Sequence, residues 1–433
     1  RRAKTVPTKM KGGLVLALLV ACLAGSEAFA PAGIPLLARS ASSRAFSTPI
    51  GHGSAGNTLF SAARASPLRA QRTAPRMTVS LPADTPLKVG ICGATGAVGK
   101  EIIGVLETRG FKVGELRLFG SARSAGREVE TKFGKVTIED FDLERARELD
   151  VVFVSVSGDF SKEWCDKMAE GDDGTIVIDN SSAFRYEKDV SLCVPEINAD
   201  SARKGSKKVI ANPNCTTAIG IMALWPLHKK YGLKKVLMST YQAASGAGAE
   251  GMAELFDGAK AVVDGPEGTV APNKHFAHPL PFNLIPHIDV FQDNLYTKEE
   301  MKVTWECQKI MNIPDLPVSC TSVRIPTFRA HAETIVIETD KAINPDEARK
   351  VLAEAPGCVL VDDPKGLKYP MPLTASKAYG VEVGRVRQSV VFGDKGLEFF
   401  VCGDQLLRGA ALNAVLVAES LMQPVGTDFN PKL

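Results

Sequence analysis

Nine cysteines are scattered through the 433 residues without one CxxC pair. That absence excludes a disulfide framework and a zinc site built on such pairs. Residues 1–83 are almost free of acid: eleven of the 52 Lys and Arg fall there, against Glu27 alone of the 49 Asp and Glu. From Asp84 onward the chain therefore carries 41 bases and 48 acids, net −7, and bulk electrostatics exclude a nucleic-acid partner for this body. The formal +3 of the whole sequence belongs to its leader. No internal repeat is present. What remains is ordinary in composition, 45% hydrophobic and 23% charged, which rules out disorder throughout and fits two or three domains.

The leader reads as an address. Met10, the expected start, and Lys11 precede the apolar run Leu14–Ala24, whose eleven residues are too few to span a bilayer. Gly25-Ser-Glu-Ala28 then supplies the small residues of a signal-peptidase site. Phe29–Ala83 holds six Arg, eight Ser and no acid, the composition of an organelle transit peptide. The two signals in series, joined at Ala28-Phe29-Ala30-Pro31, resemble the bipartite presequence of algae whose plastids lie inside extra membranes. We expect a plastid stromal protein, with no membrane association in the mature form. A secreted protein with a basic spacer is the alternative.

From Leu87 short apolar runs alternate with helical stretches, which predicts βαβ units and a largely parallel sheet. Leu87–Cys92, Glu115–Phe119, Asp150–Ser155, Ile176–Asp179 and Lys208–Ala211 read as buried strands, with Val98–Arg109 as the first helix. Later strands, at Val236–Tyr241, Val318–Ile325, Glu333–Thr339, Glu382–Phe392 and Leu397–Gly403, are longer and predict a second, mixed or antiparallel sheet. Helices are expected at Cys215–Tyr231, Gly246–Val263, Lys298–Asn312 and Asp346–Ala355, and a final one, Gln405–Met422, returning to the first sheet. Ala271–Asp289 is a long irregular loop. The expected class is α/β, a Rossmann-type dinucleotide-binding domain (84–213 with 405–433) plus an α/β mixed-sheet domain (214–404), behind a leader of 1–83.

Gly90-Ile-Cys-Gly93-Ala-Thr95-Gly96-Ala97-Val98-Gly99 follows a predicted strand and opens a predicted helix. In that context Gly93 permits the tight turn, Gly96 lets backbone approach a pyrophosphate, and Gly99 allows helix-to-strand packing. The second strand ends in Phe119-Gly-Ser121-Ala-Arg123-Ser124. An NAD-selecting acid is missing there, and a guanidinium beside two hydroxyls suits the 2′-phosphate of NADP(H).

Among the cysteines, Cys215 stands apart. Ala211-Asn-Pro-Asn214-Cys215-Thr-Thr217 ends a strand and starts a helix, where the dipole and free N–H groups should lower a thiol pKa and could form part of an oxyanion hole. A base for it must come from six histidines. His52 lies in the leader, and His228 sits about 20 Å along the same helix. His275, His278, His287 and His331 remain open on spacing alone.

These segments together resemble aspartate-β-semialdehyde dehydrogenases, in Gly93–Gly99, Asp179-Asn-Ser-Ser-Ala-Phe-Arg185, Asn212-Pro-Asn-Cys215-Thr-Thr, Ser239–Gly248, Phe282–Asp289 and Arg408-Gly-Ala-Ala-Leu-Asn413. The resemblance runs from about Val89 to Glu419. It implies NADPH-dependent reduction of L-aspartyl-4-phosphate to the 4-semialdehyde through a thioester on Cys215, in lysine, threonine, methionine and isoleucine synthesis. It implies His331 as general acid/base, and Gln242 with Asn214 as groups orienting substrate. Arg324 would clamp the α-carboxylate, Glu299 meet the α-ammonium, and Arg185 and Lys302 hold the phosphoryl group. Ser245, Gly246 and Gln405 would contact cofactor. The implied partners are aspartyl phosphate, aspartate semialdehyde, phosphate and a second copy of the chain, as homodimer or homotetramer; no metal is implied. Ser157-Gly158-Asp159 departs from the Gly-rich loop usual there and puts an acid near the expected pyrophosphate. Two other readings are an N-acetylglutamyl-phosphate reductase or glyceraldehyde-3-phosphate dehydrogenase, and a non-catalytic NADP-binding sensor. Glu299 and Arg324, able to read a free amino acid, disfavour the first. The complete set Cys215, Gln242, His331 and Arg324 disfavours the second.

Overall fold

The computed structural model describes residues 78–433. The leader up to Met77, with Met10, Cys22 and His52, lies outside the described residues. Two sheets organise the rest. The first has eight strands in the order β3-β4-β2-β1-β5-β6-β8-β7: β1 Leu87–Cys92, β2 Val113–Gly120, β3 Glu128–Thr131, β4 Gly134–Asp140, β5 Val151–Val154, β6 Ile176–Asp179, β7 Ser191–Leu192 and β8 Val209–Ala211. All pairs are parallel except β3 with β4. Strands such as Val151-Val-Phe-Val154, buried at every position, are apolar throughout because helices cover both faces. Those helices are α1 Ala97–Arg109, α2 Leu143–Arg147, α3 Gly158–Met168 and α4 Pro195–Arg203. The order reverses at β1, which lies between β2 and β5. A crevice opens at such a switch point.

Helix α5, Cys215–Tyr231, leads from β8 into the second sheet and is buried along most of its length, as a helix apolar on all sides requires. The second sheet has the order β10-β9-β11-β14-β13-β12, with β9 Leu233–Gln242, β10 Val318–Arg324, β11 His331–Thr339, β12 Cys358–Leu360, β13 Val381–Gln388 and β14 Gly396–Gly403. It is mixed, as expected: β9 runs parallel to β10 and antiparallel to β11. Helices α6 Gly248–Asp264, α7 Lys298–Met311 and α8 Pro345–Glu354 accompany it, and α9, Leu412–Ser420, returns to pack on α1 and α4. Among the described residues no helix is long and apolar enough to cross a membrane.

Several expectations are corrected. The β3–β4 hairpin was not anticipated, because its strands are half-exposed and polar. The strand expected to reach Phe392 ends at Gln388, where a turn closed by Gly393–Lys395 begins. The last helix is not uniform: Leu407–Ala411 is a π turn before α9. Order also begins before Asp84. Val79 and Leu81 are buried, and their N–H groups donate to the carbonyls of Arg203 and Leu421.

Glu333, on the inner face of β11, is fully buried opposite Gly220 of α5, and neither carboxyl oxygen has a hydrogen-bond partner. Burial pushes this carboxyl well above the usual carboxylate range. A group whose folded pKa is raised stabilises fully below its unfolded pKa, near 4.5, and loses that contribution, about 1.4 kcal/mol per unit, as pH rises toward the folded value. We predict that Glu333→Gln stabilises the protein relative to the parent, by a margin that widens between pH 5 and 8. Thermal melts across that range test it; parallel curves would contradict a neutral Glu333.

Candidate active site

The sheet topology brings the predicted chemistry to one end. Gln242 and Arg324 close β9 and β10 and are paired in register, while antiparallel β11 begins there with His331, opposite Gly403 of β14. Cys215 arrives from the other sheet as the first residue of α5. Arg185, Asn214, Cys215, Gln242, Ser245, Gly246, Glu299, Lys302, Arg324 and Gln405 all line one cavity of about 470 Å³. His331 lies just behind this wall. It is fully buried, with Nε2 free of protein partners and about 3.3 Å from where a side chain on Gly246 would begin.

Asn214 caps α5: its Oδ1 accepts from the Thr216 and Thr217 N–H groups at 3.0 and 3.2 Å. Its Nδ2 donates to Glu299 Oε1 at 2.9 Å, and Gln242 Nε2 donates to the same oxygen at 3.2 Å. Thr240 fixes the other end of the Gln242 amide by donating to its Oε1. Lys302 donates to Glu299 Oε2 at 3.0 Å and to Asp289 at 2.7 Å. A capping box between Thr297 and Glu300 starts α7 so that Glu299 and Lys302 share its inner face. Burial opposes the Glu299 charge, but Lys302 and the two amides prevail and hold the carboxyl down at about 2.

Arg185 donates Nε to Asn212 O, Nη1 to Glu306 and Nη2 to Asn180 O, at 2.9, 3.1 and 2.9 Å. Three of its five N–H groups are thereby used, leaving two for an anion. Arg324 Nη1 donates to Ala243 O, and its guanidinium lies over the Phe276 ring.

His331 Nδ1 accepts the Ala243 N–H at 3.0 Å. That bond assigns the proton of the neutral ring to Nε2. Burial, helped by Arg324, lowers the imidazole to about 3. Cys215 is corrected more sharply. A helix N-terminus alone would lower its thiol, yet burial, with Glu299 adding to it, pushes it up to about 11 against the pull of Arg185. Desolvation thus favours the neutral form of both nucleophile and base in the unliganded cavity. Gly409, in the π turn, seats the nucleophile, since a Cβ there would lie 2.5 Å from Cys215 Cβ.

A second cleft of about 500 Å³ adjoins the glycine turn and is lined by Gly93, Thr95, Gly96, Ser121, Asp140, Phe141, Phe160 and Trp164. Gly93 has φ +84°, a conformation glycine adopts freely. Ala97 opens α1, with Gly99 two residues further in and Val98 facing the first cavity, so this one turn borders both spaces. Ser124 N donates to Ser121 O and is buried, while Arg123 is exposed on the same turn. Asp159 sits exposed in the first turn of α3, under Ser157 as its cap; an acid there complements the helix dipole. A larger groove, about 520 Å³, at Asp166–Asp172 and Ser206–Val209 holds neither thiol nor glycine turn.

Sequence reasoning missed Glu306, which accepts the Asn214 N–H at 2.6 Å and pairs with Arg185. Its spacing, seven after Glu299 and four after Lys302 on one helix, was the available signal. Asp140 escaped with its unassigned strand.

Known proteins share this plan. Residues 88–205 match the family model described as semialdehyde dehydrogenase, NAD binding domain, and residues 224–408 the semialdehyde dehydrogenase, dimerisation domain. Aspartate-semialdehyde dehydrogenase of Aquifex aeolicus is 45% identical over 338 residues, covering 78% of this chain and 98% of the relative. That of Synechocystis sp. is 40% identical with the same coverage. Aspartate semialdehyde dehydrogenase II of Vibrio cholerae, solved in complex with ASA, superposes with a TM-score of 0.73 at 37% identity, over 78% of this chain and 98% of its own. The Candida albicans enzyme, solved with NADP, gives 0.58 at 25%, again over 78% and 98%. Two matched domains, relatives covered almost end to end and a cysteine-centred cavity beside a dinucleotide turn make this chain a member of the aspartate-semialdehyde dehydrogenase family.

Proposed function

We propose that the protein reduces L-aspartyl-4-phosphate to aspartate semialdehyde with NADPH, through a thioester on Cys215. The observation that carries this reading is the convergence of Cys215, Gln242, Glu299, Lys302, Arg185 and Arg324 on one cavity bordered by the glycine turn. The dinucleotide fits that turn, because Gly96 precedes α1 and offers it no side-chain cap, so its first N–H groups are free for phosphates. Gly93, Thr95, Gly96 and Ser121 would hold the cofactor, with Arg123 on the 2′-phosphate, and the NADP-bound Candida albicans relative supports that choice.

Arg324 receives the substrate α-carboxylate through its planar fork. Glu299, with three protein hydrogen bonds on its two oxygens, retains room for the α-ammonium. Seating that cation cancels a charge that opposes the Cys215 thiolate, so the correct substrate helps to activate its nucleophile. Sγ attacks the acyl carbon and its proton passes to the departing phosphate, which leaves toward the two unused Arg185 N–H groups and Lys302. The Cys215 N–H at the start of α5 is left for the developing oxyanion, since Asn214 Oδ1 takes those of Thr216 and Thr217. The chemistry a bound reduced nicotinamide supplies is hydride, the reductant for that thioester. Release of the aldehyde leaves Sγ as a thiolate, and His331 Nε2–H supplies the proton that restores the thiol, with solvent replacing the proton on the ring. The product feeds synthesis of lysine, threonine, methionine and isoleucine, and the dimerisation domain supports a homodimer or homotetramer.

The body from Met77, assayed with aspartate semialdehyde, phosphate and NADP, should form NADPH only when phosphate is present. Cys215→Ser should abolish turnover and preserve NADPH binding; undiminished turnover would refute the covalent route. Arg123→Ala should weaken NADP(H) about tenfold or more and spare NAD(H), as loss of a charge-assisted pair predicts, and equal losses would remove Arg123 from the 2′-phosphate.

We also propose a plastid destination, supported by the acid-free, Arg- and Ser-rich stretch after Ala28. Residues 1–83 fused to a fluorescent reporter should deliver it to the plastid in an alga of that type, and the reporter should stop in the secretory path when 29–83 are deleted. Secretion of the intact fusion would overturn the proposal.

A further inference from the structure

The residue before His331 is held in an unfavourable shape. Ala330 is fully buried with φ +67°, a left-handed conformation that disfavours alanine by roughly fivefold to thirtyfold in population. Something must hold it. Gln405 Oε1 accepts the Ala330 N–H at 2.8 Å, and Gln405 Nε2 donates to Ser245 Oγ. Next door, Asp404 pairs with Arg329 and accepts the N–H groups of Leu406 and Leu407. The loop that delivers His331 is thus tied at two successive residues to the segment opening the π turn, and that turn seats Cys215 through Gly409.

We propose that Gln405 is a positioning residue for His331: its carboxamide holds the left-handed Ala330 peptide and so aims Nε2 at the cavity, within a bracket that sets the imidazole relative to Cys215. Family resemblance gives Gln405 to the cofactor, but in the structure both ends of its amide are engaged by Ala330 and Ser245. The proposal rests on the acid/base role of His331 given above. It assigns Gln405 an effect on turnover rather than on cofactor affinity.

A rescue experiment separates the two. Gln405→Met should lower kcat at saturating substrates by about tenfold or more, with the NADPH Kd changed less than about twofold. Adding Ala330→Gly, which adopts the left-handed region without that penalty, should restore about fivefold of the lost kcat. A merely structural role for Gln405 gives no reason for a glycine at 330 to recover turnover. Should Gln405→Met fail to fold by circular dichroism, Gln405→Asn, one methylene short of Ala330, takes its place in the same cycle. Loss confined to NADPH affinity, or a double variant no faster than the single one, overturns the proposal. His331→Asn serves as reference: parental turnover there would overturn the acid/base reading itself, whereas an inactive His331→Asn beside an unrescued Gln405 variant overturns only the positioning role.

Discussion

One buried carboxylate organises the catalytic cavity. Glu299 gathers the side-chain amides of Asn214 and Gln242 on one oxygen and the ammonium of Lys302 on the other. Those partners come from the cap of α5, the end of β9 and the first turns of α7. Without a common acceptor, two amides and an ammonium so placed would have no reason to face the same space. The cost of burying the charge is met by these bonds, which is the condition for retaining a charge inside a protein. Glu306 repeats the device one layer deeper, joining Arg185 to the peptide N–H of Asn214.

The consequence is a division of electrostatic labour. Groups expected to grip the substrate, Glu299, Lys302, Arg185 and Arg324, stand in a ring whose charges are partly answered by one another or by backbone carbonyls. The two groups expected to react, Cys215 and His331, are held neutral by burial. Such an arrangement keeps a nucleophilic thiol quiet toward casual electrophiles. It becomes reactive when bound charge changes the local field.

Much of this was legible in the sequence, for identifiable reasons. The strands of the first sheet and α5 are strongly patterned, and Asn-Pro-Asn-Cys marks a strand-to-helix junction that the structure reproduces at Cys215. Which histidine serves was not legible: His331 stands at a strand end like any other until β9, β10 and β11 are aligned, and resemblance alone singled it out. The upward push on the Cys215 thiol was not legible, because a helix N-terminus is a local feature whereas desolvation and the Glu299 charge come from elements distant in sequence. The β3–β4 hairpin and Asp140 escaped although Val136 and Ile138 alternate with polar residues, because the run is short and Ile138 alone in it is buried. The π turn escaped because Leu407-Arg-Gly-Ala-Ala411 has no proline to separate it from the helix it leads into.

The two ends of the folded body close on each other. Val79 and Leu81 hydrogen-bond beside α4 and α9, Arg109 of α1 pairs with Glu419 and reaches the Lys432 carbonyl, and Phe429 is buried. Helix α9 also completes the core that β1 and α1 begin. During synthesis the first sheet therefore lacks a wall until the residues from Asp404 onward have emerged from the ribosome, however early its strands appear. Until then the apolar surface of this domain stays uncovered, and its core closes only when its last helix arrives.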